Sequence, residues 1–312
     1  MIDPELTEAL ALIPEIDLSD PVAARAGFAA LSAGLRTEIA GIETLDIEDR
    51  LVAGWEGDPE VPVRVYRPRE RSGAVPVVLL IHGGGFVLGS VEGEHARAAT
   101  TALQTGAVVV SVEYRLAPEH PFPAGLHDCY SALVFVARSA GDLGVDPARV
   151  ALVGSSAGGG LAAATALLAR DRGGPAVCFQ MLHIPELDDR LETPSMRAFV
   201  DSPMWNRPLA EQSWRAYLGA DADRAVVSPY AAPARAAELS GLPPAYISTA
   251  ENDPLRDEGI LYGLRLLQAG VSVELHQFPG TYHGSALAAS AAVSQRAQRE
   301  SMTVLRRALG VD

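Results

Sequence analysis

The sequence Val150-Ala151-Leu152-Val153-Gly154-Ser155-Ser156-Ala157-Gly158-Gly159-Gly160 leads into a run of small residues from Leu161 to Ala169. An apolar, β-branched run enters a Gly-x-Ser-x-Gly turn and continues into an Ala-rich segment, which predicts a strand, a sharp turn and a helix. Glycine at 154 and 158 lets the strand and the helix approach, while Ser156 is strained at the apex, with its hydroxyl pushed out of the backbone and its neighbour's N–H free at the start of the helix. Ser156 is therefore the candidate nucleophile.

Two other interpretations of this segment are disfavoured. Residues 150–169 are uncharged, as a membrane span would be, but they are crowded with Gly and Ser and have no basic flanks. A Gly-rich turn before a helix can also hold a phosphate, yet no Lys-Ser/Thr pair follows and the chain contains no lysine.

The composition is that of a large, acidic, globular chain. Its 312 residues are 48% hydrophobic and 21% charged, which suffices to bury a large core. The net charge of −14 repels nucleic-acid phosphates and anionic lipid surfaces. We therefore expect neither a nucleic acid nor a membrane as partner.

Cys129 and Cys178 lie far apart and lack the spacing of metal ligands, so we expect reduced thiols in the core rather than a disulfide or a structural zinc site. The N-terminal Met1-Ile2-Asp3-Pro4-Glu5 is acidic where a signal peptide is basic. The expected location is the cytoplasm.

Strand and helix signals alternate along most of the chain. Strand patterns cover 44–52, 61–66, 75–81, 107–112, 150–153, 177–182, 244–249 and 271–278, and helical patterns cover 124–139, 156–171, 257–269 and 287–309. The runs at 75–81 and 107–112 are nearly all apolar, as in strands buried on both faces. These patterns predict one α/β domain with a mostly parallel sheet and helices on both faces.

The first 40 or so residues predict a helical arm. Pro21 begins a helix whose apolar positions are Val22, Phe28, Leu31 and Leu35.

The segment between Pro185 and Leu242 has no strand pattern of the required length. Trp205, Trp214 and Tyr217 lie there among short helical runs and prolines. We expect this insertion and the N-terminal arm to cap the carboxyl ends of the strands, where α/β sheets place their sites. An ordinary surface excursion is the alternative.

A serine nucleophile needs an adjacent base, which itself needs an orienting carboxylate. Of the seven histidines, His283 follows the last predicted strand by five residues, at the sheet edge where Ser156 also emerges. His276 lies inside that strand, and His95, His120, His127 and His183 have no comparable position. His283 is the predicted base.

The acid is expected at the end of the preceding strand. There Pro254 favours an extended Asp253, whose side chain can then reach an imidazole. Asp257 is interpreted as a cap of the helix that begins there, and Glu251 is a third option.

The negative oxygen of a tetrahedral intermediate needs preorganised donors. The run from His82 to Phe86 holds three glycines directly after a buried strand, so the N–H groups of Gly83 and Gly84 can turn toward a substrate, with Ala157 N–H as a third donor. A merely flexible glycine loop is the alternative.

Further motifs accompany the serine turn: His82-Gly83-Gly84-Gly85-Phe86, Tyr114-Arg115-Leu116-Ala117-Pro118-Glu119 with Pro121-Phe122-Pro123-Ala124, Leu187-Asp188-Asp189-Arg190, Asp253-Pro254-Leu255-Arg256-Asp257-Glu258-Gly259 and His283-Gly284. Over roughly residues 60–290 the set resembles the hormone-sensitive-lipase family of α/β-hydrolases, also called bacterial family IV esterases. The chain departs from this family at Ser155, where most relatives carry Asp or Thr, and at Ser285, where Phe is common.

The resemblance implies an eight-stranded hydrolase sheet with a two-part helical cap. The implied divisions are 1–43 for N-terminal cap helices, 44–184 for the first part of the core, 185–241 for the inserted cap segment and 242–312 for the second part of the core. It further implies hydrolysis of small carboxylic esters without metal or cofactor, with nucleophile, acid and base at Ser156, Asp253 and His283.

The predicted activity is that of a carboxylesterase for short- to medium-chain esters. Acyl transfer or amide hydrolysis is an alternative, because the same triad forms the same acyl-enzyme. A catalytically silent binding protein is another, since plant gibberellin receptors resemble this family but lack the base. A homodimer is one of the oligomeric states that the sequence allows.

Overall fold

The computed structural model describes residues 1–10, 16–34 and 38–311, and within them eight strands form one sheet. The strands are β1 (Leu45–Val52), β2 (Val61–Pro68), β3 (Val75–Ile81), β4 (Val108–Val112), β5 (Val145–Ser155), β6 (Phe179–His183), β7 (Ala245–Asn252) and β8 (Val273–Tyr282). Their order across the sheet is β1-β2-β4-β3-β5-β6-β7-β8. β2 pairs antiparallel with both β1 and β4, and all other pairs are parallel. The predicted mostly parallel sheet is confirmed.

The centre of the sheet is buried on both faces. In β3, Val77, Leu79 and Ile81 join one apolar cluster, whereas Val78 and Leu80 join another on the opposite face. Because successive side chains of a strand point to opposite faces, a run without polar residues is what two-sided burial requires.

Helices cover both faces of this sheet. The described helices are α1 (Pro4–Leu10), α2 (Pro21–Gly34), α3 (His95–Thr105), α4 (Ala124–Arg138), α5 (Ala140–Leu143), α6 (Ala157–Arg172), α7 (Pro194–Ala198), α8 (Arg207–Leu218), α9 (Arg256–Gln268) and α10 (Ala292–Leu309). α4, α6 and α9 pack on the first face, and α3 and α10 pack on the other. None of the helices in the described ranges is long and apolar enough to cross a membrane.

The N-terminal arm begins α2 at Pro21, as expected for proline in the first turn of a helix. Leu35, the last apolar position predicted for this helix, lies outside the described residues. Arg25 ties α2 to the core, since its guanidinium donates to Val87 O at 2.8 Å and to Ala117 O at 2.9 Å. The arm is thus attached beside the glycine run that follows β3.

The segment 185–241 contains α7, α8 and two short 3₁₀ turns, and no strand is described in it. Trp214 is fully buried there, and its ring lies 5.4 Å from that of Phe86. The segment therefore packs onto the loop after β3 rather than extending away from the domain.

The end of β8 differs from the sequence prediction. The strand continues past Phe278 to Tyr282, so His283 follows it directly instead of after a five-residue turn. An irregularity in the pairing of β7 with β8 accommodates Pro279 and Gly280 within the strand. The Pro279-Gly280 pair, which predicted a turn, instead forms an irregularity within β8.

The turn between β5 and α6 requires glycine on both sides. A Cβ at Gly154 would lie 2.1 Å from Gly158 O, and one at Gly158 would lie 2.3 Å from both Ile81 O and His82 O. These are backbone atoms of neighbouring elements, so no side-chain movement could relieve the overlap.

We predict that Gly158→Ala destabilises the fold by about 3 kcal/mol, near the upper end of overpacking costs, and lowers Tm by about 5 °C. The matched control is Gly141→Ala in α5, where an added Cβ meets nothing within 4 Å. It should leave Tm unchanged or raise it slightly. Thermal unfolding followed by circular dichroism measures both Tm values. Equal Tm values for the two variants would contradict the close approach of strand and helix.

Candidate active site

Ser156 occupies the turn between β5 and α6 in a strained conformation, with φ 55° and ψ −124°. Three backbone hydrogen bonds hold it there: Ser156 N donates to His183 O at 2.8 Å, while Ser156 O accepts from Gly160 N and Glu186 N at 3.0 Å each. A non-glycine residue at positive φ persists only where its surroundings fix it. The strain leaves the side chain projecting from the turn, as the sequence predicted.

A continuous chain of hydrogen bonds joins the three side chains predicted as nucleophile, base and acid. Ser156 Oγ lies 3.0 Å from His283 Nε2, and His283 Nδ1 lies 2.8 Å from Asp253 Oδ2. Since a carboxylate can only accept, the proton on the ring belongs on Nδ1, and Nε2 is left to accept from the serine hydroxyl.

Burial shields this chain of bonds from water. Asp253 is fully buried, and Ser156 and His283 are 7% and 6% exposed. The second oxygen of Asp253 accepts from Leu255 N at 2.8 Å, so both carboxylate oxygens have donors. Electrostatic interactions among the three groups are stronger here than at a wet surface.

The other two acidic candidates have different partners. Asp257 was expected to cap the helix in which it lies, and this is wrong: its carboxylate accepts Ser195 N at 2.7 Å, in the first turn of α7. Asp257 thus fastens the segment 185–241 to α9. Glu251 accepts Gly280 N at 2.7 Å across the β7-β8 pair.

His82 and His183 lie near the turn and are neutral; His82 is buried and His183 is partly buried. Burial lowers the pKa of His82 to about 4 and that of His183 to about 3. His82 Nδ1–H donates to Gly83 O at 2.9 Å, and Tyr114 O–H donates to His82 O at 3.1 Å while the two rings stack. We interpret His82 as a support of the glycine run.

The glycine run lies against the serine turn. A Cβ at Gly83 would lie 3.4 Å from Ser156 Cβ. Gly84 has φ +125°, and its carbonyl accepts from Val87 N and Leu88 N, which closes the loop. Among the described residues, the N–H groups of Gly83, Gly84 and Ala157 have no acceptor. Donors without partners beside a nucleophile are what an oxyanion site requires.

Ser155, where the chain departs from its family, has a partner that sequence reasoning missed. Arg97 of α3 donates to Ser155 Oγ at 2.7 Å and pairs with Glu94 at 3.5 Å. The Ser155 hydroxyl thus accepts from a guanidinium at the position where most relatives carry Asp or Thr. No spacing along the chain links positions 97 and 155, so this contact had no sequence signal.

Trp205 covers the site from the segment 185–241. Its ring centroid lies 5.8 Å from that of His283, and a Cβ at Gly85 would lie 2.4 Å from its Cη2 atom. The indole therefore lies close to both the glycine run and the imidazole. The sequence singled out Trp205 but not these contacts.

The sheet order, the strained serine turn after β5 and the histidine after β8 together define an α/β-hydrolase. A family model described as the alpha/beta hydrolase fold matches residues 78–287.

Named esterases are similar to this chain over most of its length. Carboxylesterase NlhH of Mycobacterium tuberculosis is 45% identical over 252 residues, covering 80% of this chain and 78% of that protein. The arylesterase of Saccharolobus solfataricus is 36% identical, covering 77% and 76%. A solved bacterial heroin esterase is 53% identical with a TM-score of 0.96, covering 99% of this chain and 98% of that one. The chain belongs to the hormone-sensitive-lipase family of α/β-hydrolases.

Proposed function

We propose that this chain is a serine carboxylesterase that hydrolyses short- to medium-chain esters, with Ser156 as nucleophile, His283 as base and Asp253 as the acid. The observation that carries the proposal is the pair of hydrogen bonds, 3.0 Å and 2.8 Å long, that links the three side chains. The similarity to a named carboxylesterase and a named arylesterase over most of the chain supports the same activity.

In the proposed mechanism, Ser156 Oγ attacks the ester carbonyl as its proton passes to His283 Nε2. The imidazolium then gives this proton to the leaving alcohol, and an acyl-enzyme forms on the serine. Water repeats the sequence, with His283 again accepting and returning one proton, and releases the acid. Asp253 fixes the tautomer and orientation of the ring and stabilises its charge.

The tetrahedral intermediate carries its negative charge on the former carbonyl oxygen. We assign the N–H groups of Gly83, Gly84 and Ala157 to this oxygen. Gly83 lies against Ser156, Gly84 follows it in the glycine run, Ala157 follows Ser156, and none of the three N–H groups has an acceptor among the described residues. Loss of one such donor costs about 3 kcal/mol of transition-state stabilisation in comparable enzymes.

A catalytically silent binding role is disfavoured by His283, the residue that silent relatives lack. Its Nε2 is at hydrogen-bonding distance from the serine and its Nδ1 is held by a buried carboxylate. No observation favours an acyltransferase over an esterase, because the same residues would form the same acyl-enzyme.

We further propose that the N-terminal arm and residues 185–241 form a roof that bounds the acyl pocket. The contact of Trp205 with the His283 ring and the attachment of α2 through Arg25 support such a roof. A net charge of −14 opposes docking on anionic lipid. The substrates are then dissolved monomers rather than lipid droplets. The cytoplasmic location and the homodimer stay predictions.

A fixed roof predicts how the rate depends on acyl length. kcat/KM for nitrophenyl esters should rise from acetate as the acyl chain lengthens, because each buried methylene adds about 0.8 kcal/mol of binding free energy in the transition state. The rise should stop at about eight carbons, where the pocket is full. An ester series from acetate to palmitate, and tributyrin taken through its solubility limit, measure this. A maximum at palmitate, or a jump in rate when droplets appear, would contradict a fixed roof.

A further prediction identifies the acid. Asp253→Asn should keep the fold and lower kcat by up to about four orders of magnitude, because an amide favours the wrong imidazole tautomer. Steady-state kinetics with a short nitrophenyl ester measure the loss.

Asp257→Asn is the matched control, since Asp257 lies nearby in the first turn of α9 but binds α7. It should lower Tm and leave most of the turnover. A large loss of kcat in Asp257→Asn together with a small loss in Asp253→Asn would show that the acid has been misassigned.

A further inference from the structure

A buried carboxyl group that the proposed mechanism does not use lies beside the glycine run. Glu186 follows β6, and its side chain is fully buried. Its Oε1 lies 3.2 Å from Ser213 Oγ, and Ser213 Oγ lies 2.9 Å from Gly85 O. Ser213 is itself fully buried in α8. The serine hydroxyl thus bridges a carboxyl group and the carbonyl next to Gly84.

The same glutamate also holds the nucleophile turn. Its backbone N–H donates to Ser156 O at 3.0 Å. Gly85 has φ +56° and, among the described residues, Ser213 alone donates to its carbonyl. A single residue therefore contacts the serine turn through its main chain and the glycine run through its side chain.

The protonation state of the Glu186 carboxyl determines which acceptor Ser213 donates to, because a serine hydroxyl has a single hydrogen to donate. If the carboxyl of Glu186 is neutral, its O–H donates to Ser213 Oγ, and Ser213 donates to Gly85 O. If the carboxyl is ionised, the serine proton turns to the carboxylate, since a charge-assisted bond is the stronger one. Gly85 O then loses its donor.

We propose that neutral Glu186 is a positioning residue that, through Ser213, holds the Gly83-Gly84 turn in the shape that receives the oxyanion. This inference rests on the proposed esterase function. Glu186 touches no reacting atom in it, and its effect on the rate is carried by the backbone of the glycine run.

The surroundings of Glu186 favour the neutral form. Burial raises its pKa to about 8, with a smaller contribution from Asp253, whereas the bond from Ser213 lowers it. The titratable groups that face it are Asp253 after β7, Glu258 of α9 and Tyr217 of α8, none of them cationic. The carboxyl is thus mostly protonated at neutral pH and loses its proton above about pH 8.

The consequence is an alkaline fall in kcat. As Glu186 ionises, the glycine run loses its tether and the oxyanion donors lose their alignment. A displacement of such groups by a fraction of an ångström lowers a rate by about tenfold. KM should change little, because the donors act mainly in the transition state.

The experiment measures kcat and KM for nitrophenyl acetate between about pH 6 and about pH 10, with enzyme-free blanks. The proteins are wild type, Glu186→Gln, Ser213→Ala and the control Glu258→Gln, which removes a second buried carboxyl with raised pKa that does not touch Gly85. Tm of each variant, taken in parallel, separates loss of fold from loss of rate.

Glu186→Gln should keep kcat at pH 7 within about threefold and abolish the alkaline fall, because its amide donates to Ser213 at every pH. Ser213→Ala should lower kcat by about tenfold with KM within about twofold, and should also flatten the alkaline fall. Glu258→Gln should keep the fall.

The inference is overturned if Glu186→Gln retains the alkaline fall, if wild type has none, or if folded Ser213→Ala turns over like wild type. If Glu186→Gln does not fold, the kcat of Ser213→Ala alone tests the inference. Wild-type activity no higher than that of Ser156→Ala would instead reject the proposed esterase function, and the inference with it.

Discussion

The backbone conformation of Ser156 is the constraint on which the rest of the structure depends. A serine at φ 55° is unfavourable by about 1–3 kcal/mol, so neighbouring elements must hold it. Hydrogen bonds from three directions do so, through His183, Gly160 and Glu186. The glycines at 154 and 158 allow β5, α6 and the end of β3 to come close enough to make this network. The strain raises the hydroxyl out of the turn, toward His283.

The site keeps its polar groups in a buried setting where an unpaired group is costly. Asp253 has donors to both oxygens, and the pKa of His82 is lowered so that it stays neutral and donates to Gly83 O. Among the described residues, Oε2 of Glu186 has no hydrogen-bond partner, as is also true of His82 Nε2, and burial raises the pKa of Glu186. Protonation removes the charge that burial disfavours, and it also gives the side chain a hydrogen to donate. A group that is expensive to bury as an ion thereby becomes a structural donor.

Much of the fold could be predicted from the sequence because its signals were local. The apolar run of β3 required two-sided burial, and the Gly-x-Ser-x-Gly turn fixed where β5 meets α6. Helix α3 was missed because its buried side is made of small residues, such as Ala98, Thr101 and Ala102, and holds none of the large apolar residues that mark a core-facing helix. The partners of Asp257, Ser155 and Glu186 could not be predicted either. They lie on elements distant in the chain, and only the folded topology brings them together.

The central claim is that Ser156 is the residue that becomes acylated. Incubation with an organophosphonate ester, which mimics the tetrahedral intermediate, followed by peptide mass spectrometry, tests it most directly. The account predicts one adduct per chain on Ser156, none on the adjacent Ser155 or on Ser285, and none in Ser156→Ala. A stoichiometric adduct on either of the other serines would contradict it.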